Sequence, residues 1–161
     1  LWSLVNSTQT FKLNKIAYAT MDIASVNWTV NQITGNSQNT SADNVINITN
    51  YGNIPINTGS SYLLRINATQ LIGETTPSLT FGASNFSAMQ GIGTAGCSAS
   101  AFSDAQWFNL VFVVNPASSP PTPSFGSLAF CAKTATDIQP QSYSSGANPW
   151  QIDDYCNSCL V

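Results

Sequence analysis

Few residues in this sequence could carry covalent chemistry. Histidine is absent, which removes Ser-His-Asp and Cys-His nucleophiles and imidazole-ligated zinc. The acid pair Asp153-Asp154 could hold a metal or do carboxylate chemistry, but neighbours on an extended chain face opposite ways, so it reads as a solvated turn. Glu74 and Asp104 stand alone, and no Asp-rich run has calcium-loop spacing. Cys156-x-x-Cys159 has the spacing of a redox motif or a zinc half-site. A redox motif needs a helix N-terminus after a strand, and zinc in an oxidising compartment competes with disulfide formation. Cys97, Cys131, Cys156 and Cys159 therefore read as two structural disulfides, with three pairings open. A cross-link from Lys12, Lys15 or Lys133 to an Asn or Asp side chain is a weaker alternative. The residues point to a protein that is not an enzyme and holds no cofactor or metal.

A second kind of chemistry is more abundant. N-x-S/T triplets begin at Asn6, Asn27, Asn39, Asn47, Asn67 and Asn85, and each can accept an N-glycan in an exported chain. All lie in the first 85 residues, and glycans on them would give a charge-poor surface a hydrated coat. Asn6 shares the parity of Trp2 and Leu4, so a glycan there requires the strand to twist or leave its groove. Trp2, Trp28, Trp107 and Trp150 could form a sugar-stacking platform, but three of them sit among apolar neighbours and read as core.

Composition narrows the partners. The 161 residues suffice for one domain with a real core. Of these, 43% are hydrophobic and only 7% charged, so Ser, Thr, Asn and Gln replace the usual Lys/Glu surface. Lys12, Lys15, Arg65 and Lys133, in a chain of net charge −3, cannot make the footprint that nucleic acid or an anionic membrane requires. With few carboxylates and no histidine to titrate, the fold should tolerate acid. A near-neutral surface tends to self-associate unless glycans prevent it. No apolar run reaches eighteen residues, so no membrane span is expected, nor the long apolar helix of a type IV pilin.

The elements that must position these residues read as strands. Residues 1–13 carry apolar and β-branched side chains with no Gly or Pro, and read as a strand opening the mature chain. Residues 15–30 alternate with a phase change near Ala24-Ser25, and 31–44 is polar and turn-rich, a surface loop. A strand from Asn44, a turn at Asn50 to Asn53 and an extended segment to Ile56 follow. Residues 61–71 alternate as a half-buried strand, and 78–81 form a short one. Residues 82–103 read as an irregular Gly/Ala/Ser-rich crossing. Trp107 to Val114 is the most apolar segment and is expected at the centre of a sheet. After four prolines between 115 and 123, residues 124–132 form a strand with Phe125, Ser127, Ala129 and Cys131 on one face. The tail from Thr134 looks irregular and in need of a disulfide, worth about 3–4 kcal/mol, to pin it. No segment has helical spacing, so the fold class is all-β: an immunoglobulin-like or pilin-like β-sandwich of seven to nine strands.

Two stretches carry a resemblance: Asn-Ile-Thr-Asn-Tyr-Gly-Asn-Ile-Pro-Ile56 before a long strand, and Asn-Leu-Val-Phe-Val-Val-Asn-Pro-Ala-Ser-Ser-Pro-Pro before Gly-Ser-Leu-Ala-Phe130. They look like secreted archaeal immunoglobulin-like domains. With the sequon-bearing, charge-poor surface and the free leading strand, the plan resembles the subunit of thin archaeal thread filaments. Such subunits are analogues of bacterial chaperone-usher pilins, and archaeal bundling pili share the principle. The resemblance implies a donor strand over 1–13 and a sandwich domain over 14–161. Leu1, Trp2, Leu4, Val5, Phe11 and Leu13 would fill the next subunit's groove, making copies of itself the partner in an extracellular cell-surface filament for adhesion or cell–cell contact. The alternative is a monomeric secreted glycan-binding or adhesin domain.

Overall fold

The computed structural model describes residues 17–22, 26–28, 39–57, 59, 61–91, 100–116, 122–133, 139 and 141–156. The expected donor-strand residues Leu1, Trp2, Leu4, Val5, Phe11 and Leu13, together with Asn6, Cys97 and Cys159, lie outside them. The described chain is nearly all β, in antiparallel sheets, with one three-residue 3-10 turn at Ala83–Asn85.

Two sheets dominate. The first has four strands in the order β1 (Ala19–Met21), β2 (Asn39–Asn50), β10 (Ser124–Lys133) and β7 (Phe86–Gln90). The second has β12 (Gln151–Cys156), β4 (Tyr62–Ala68) and β8 (Gln106–Asn109). A two-stranded pair of β3 (Ile56–Asn57) and β9 (Val113–Val114) continues the β4–β8 ladder, and β11 (Tyr143–Ser144), β5 (Leu71–Gly73) and β6 (Thr80–Phe81) form a small third sheet.

The core follows from strand parity. On β4, Tyr62, Leu64, Ile66 and Ala68 are buried while Leu63, Arg65 and Asn67 are only half-buried. Ile46 and Ile48 of β2, Leu128, Phe130 and Ala132 of β10, and Phe86 and Ala88 of β7 face the same cluster, so the inner faces of both large sheets share one core. Trp28 and Trp150 close it: Trp28 lies 5.5 Å from Phe86 between ring centroids, and Trp150 lies 5.0 Å from Phe86 and 5.9 Å from Phe102. The Trp150 indole N–H donates to the Thr69 carbonyl at 2.7 Å, giving the half-buried ring its polar partner.

Several sequence expectations change. The polar stretch before Asn44 is strand from Asn39 onward, because β10 pairs with it beyond a register shift: Cys131 faces Ser41 and Lys133 faces Asn39. The supposed crossing contains β7, paired with β10 from Ala132↔Phe86 to Leu128↔Gln90. Trp107 to Val114 is not central. It splits into β8 and β9 and forms an outer strand among the described residues, with Leu110, Phe112 and Val114 buried and alternate residues exposed. Within the tail, residues 151–156 are regular rather than irregular, since all six residues of β12 face β4. Asp153-Asp154 is accordingly strand rather than turn. Cys131 and Cys156 are both disulfide-bonded.

One turn is fixed by a side chain. Asn50 is fully buried at the end of β2; its Nδ2 donates to the carbonyls of Ile54 (2.9 Å) and Asn115 (3.1 Å), and its Oδ1 accepts from the Gly52 N–H (2.8 Å). This amide ties the 50–54 turn to the end of the outer strand.

Candidate functional site: an open sheet edge and the face beside it

Residues 106–114 run along β4 and β3. The Leu110 N–H donates to the Leu64 carbonyl at 2.9 Å, so Leu64 and Leu110 form a hydrogen-bonded pair. Antiparallel pairs alternate, which makes Asn67↔Trp107 and Arg65↔Asn109 the non-hydrogen-bonded pairs. Trp107 and Asn109 therefore turn their backbone N–H and C=O away from β4. Among the described residues no strand pairs that side.

At β9 the same edge is closed differently. The Val113 N–H donates to Gln90 Oε1 at 2.9 Å, and Gln90 Nε2 donates to the Val113 carbonyl at 2.7 Å. The carboxamide of Gln90, at the end of β7, thus makes the two bonds that a neighbouring strand would make to Val113. Gly126 permits the approach: a Cβ there would meet Val114 Cγ2 at 2.8 Å and Phe112 Cζ at 3.0 Å. At the other end of β7 the Phe102 N–H donates to the Phe86 carbonyl at 2.9 Å. The edge also carries apolar side chains in water, with Trp107 42%, Val111 64% and Val113 43% exposed. An outer strand flanked by such side chains is a template for strand addition.

The outer face of the β12–β4–β8 sheet adjoins this edge. The Arg65 guanidinium carbon lies 4.3 Å from the Trp107 ring centroid and 4.2 Å from that of Tyr155. Its Nε and Nη2 both donate to Asp153 Oδ2, at 2.9 and 2.6 Å. On the inner side, the buried Tyr62 hydroxyl donates to Asp154 Oδ2 at 2.9 Å. Burial first, then the bond to Asp154 and its negative charge, push the Tyr62 pKa well above that of an ordinary phenol. The adjacent acids therefore face opposite ways, as expected of strand neighbours, and each has its own partner.

A cleft of about 480 Å³ is lined by Asn67, the cross-strand partner of Trp107, and by Thr69, Gln70, Asp104, Asn148 and Gln151, among others. Asp104 Oδ1 accepts from the Gln70 N–H at 2.6 Å, and the Thr69 hydroxyl donates to the Asn148 carbonyl at 2.8 Å. Glu74, the other isolated acid, lies on the surface near β11, with its N–H donating to the Ser142 carbonyl.

The sequons fall in different surroundings. Asn27 is exposed. Asn39 begins β2 opposite Lys133. Asn47 is held at both ends of its amide, donating to Asp22 Oδ2 at 2.6 Å and accepting from Ser127 Oγ at 2.7 Å. Asn85 Nδ2 donates to the Gly82 carbonyl at 3.2 Å, ahead of the buried Phe86 and Ser87. Asn67 stands half-buried on the outer face of β4.

Among the described residues no three His, Cys, Asp or Glu side chains gather as metal ligands, and no helix is long and apolar enough to cross a membrane. No family model, curated protein or solved structure matches the chain. The exposure of Trp107 could have been read from its parity with Val111 and Val113. Nothing in the sequence marks Gln90, whose role depends on which strand ends face each other.

Proposed function

We propose that this chain is the structural subunit of an extracellular surface filament, an immunoglobulin-like or pilin-like sandwich that polymerises head-to-tail by lending residues 1–13 to the next copy. The observation that supports it most is the outer side of β8, where among the described residues no strand pairs with Trp107 and Asn109, continued at Val113 by a side-chain amide in place of a strand and flanked by exposed apolar side chains. Strand addition supplies a backbone ladder, and alternate side chains give it register. A contact between two different surfaces of one chain does not close on itself, so it propagates. On this reading the chain is exported and N-glycosylated, two disulfides stabilise it, and it performs no catalysis. Filaments should appear by electron microscopy of the full chain and vanish from a variant lacking residues 1–13, which remains monomeric or aggregates. Native filaments from that variant would overturn the proposal.

A further inference from the structure

We infer that Asn67 carries an N-glycan whose first sugars lie in the adjoining cleft against the Trp107 ring, so that the chain's own glycan is a structural part of the outer sheet face. The inference rests on the export and glycosylation proposed above, and is independent of filament formation.

Placement carries it. Asn67-Ala-Thr69 is one of the six acceptor triplets, and Asn67 is on an outward-facing position of the central strand β4. Its cross-strand partner is Trp107 in a non-hydrogen-bonded pair, the closer of the two antiparallel pair types, in which facing side chains touch. Arg65 covers part of the indole, yet Trp107 keeps 42% of its surface exposed, enough ring for a sugar to stack on. Asn67 also lines the cleft, whose volume lies within the range of small-molecule sites.

The lining is compatible with a sugar. Asn67, Gln70, Asn148 and Gln151 bring amides, Ser145 a hydroxyl and Asp104 a carboxylate, while Ile72, Ala105 and Pro149 give short apolar patches. Hydroxyl-rich ligands take amide and carboxylate partners, which this cleft provides, and the aromatic surface is Trp107, the cross-strand neighbour of the lining residue Asn67. The other triplets whose asparagine side chains are described differ. The amides of Asn47 and Asn85 are already bonded within the protein, and Asn27 is exposed without a described cleft beside it. Among the described residues the Asn67 amide has no hydrogen-bond partner, and it opens onto a cavity of ligand size.

The test uses full-length protein secreted from a host that glycosylates it. Glycopeptide mass spectrometry should find the Asn67 peptide carrying a glycan. Asn67→Gln and Trp107→Ala should each lower the melting temperature, and the double variant should fall no further than the worse single one, because both remove the same contact. Thr69→Ala, which destroys the acceptor triplet and keeps the Asn67 side chain, should reproduce the loss of glycan. Glycans at other triplets with an unmodified Asn67 would overturn this inference alone. No glycan at any triplet would overturn the glycoprotein reading with it. Additive melting shifts from a glycosylated Asn67 would mean that the sugar does not rest on Trp107. An unmodified Asn67 beside Trp107 resonances that shift on titration with free chito-oligosaccharide would assign the cleft to another molecule's sugar and also overturn it.

Discussion

The two faces of the β12–β4–β8 sheet are built from the same three strands and solve opposite problems. The inner face is apolar, with Tyr62, Leu64, Ile66 and Ala68 excluded from water, and the Tyr62 hydroxyl there donates to Asp154 at the margin of the same face. The outer face gathers a cation, two aromatic rings, a carboxylate and an acceptor asparagine. In a chain with only four basic residues, one of them is placed between Trp107 and Tyr155 rather than spread over the surface. Stability should therefore be concentrated on the inner face, and the outer face should be open to exchange of one side chain for another.

Removing packing from the inner face should have the largest effect. Ile66→Ala empties a fully buried site in the central strand and should cost about 2–5 kcal/mol by chemical denaturation. A loss below 1 kcal/mol would mean that the core collapses easily around β4. Tyr62→Phe, which leaves the ring and removes the hydrogen bond to Asp154, should cost about 1 kcal/mol at neutral pH. Its pH dependence is more telling. The folded state holds the phenol protonated beyond the ordinary value of 10.0, while the unfolded chain ionises there, so this contribution is full below pH 10 and is lost as pH rises above it. Wild type and Tyr62→Phe should then converge in alkaline denaturation curves, and a constant gap would contradict the linkage. Smallest is Arg65→Ala on the outer face. Arg65 and Asp153 are 25% and 40% exposed, so the ion pair is screened by solvent. Pair and ring stacking together should amount to about 1 kcal/mol or less, shrinking with added salt.

Much of the fold was legible in local pattern. The alternation on β4 predicts its buried face residue by residue, whereas on β10 Ala129 and Cys131 are buried along with Leu128, Phe130 and Ala132, because β10 lies between β2 and β7. The turn beginning at Asn50 is visible in its Asn-Tyr-Gly-Asn composition, although the buried amide that fixes it is not. What local pattern cannot supply is who pairs with whom. Residues 39–43 look like loop because they are polar, and they become strand because the far end of β10 lies beside them. Phe86 to Gln90 was hidden in a small-residue stretch for the same reason. Apolar content misplaced 107–114: hydrophobicity implies a central strand when both faces are covered, whereas here the alternate residues Trp107, Val111 and Val113 face water. The candidate site is harder still to read, since Arg65, Trp107 and Tyr155 are each more than forty residues from one another and meet only through the order of three strands.

The Gln90 carboxamide has one more consequence. Both of its hydrogen bonds to Val113 hang on a single rotatable side chain, so they form and break together. A strand in that place would unzip residue by residue; an amide behaves as a latch with two positions. When it swings away, Val113 is left with an unpaired donor and acceptor pointing along the same line, ready for the next extended backbone that arrives. Any backbone that paired with Val113 from that side would first have to displace the glutamine.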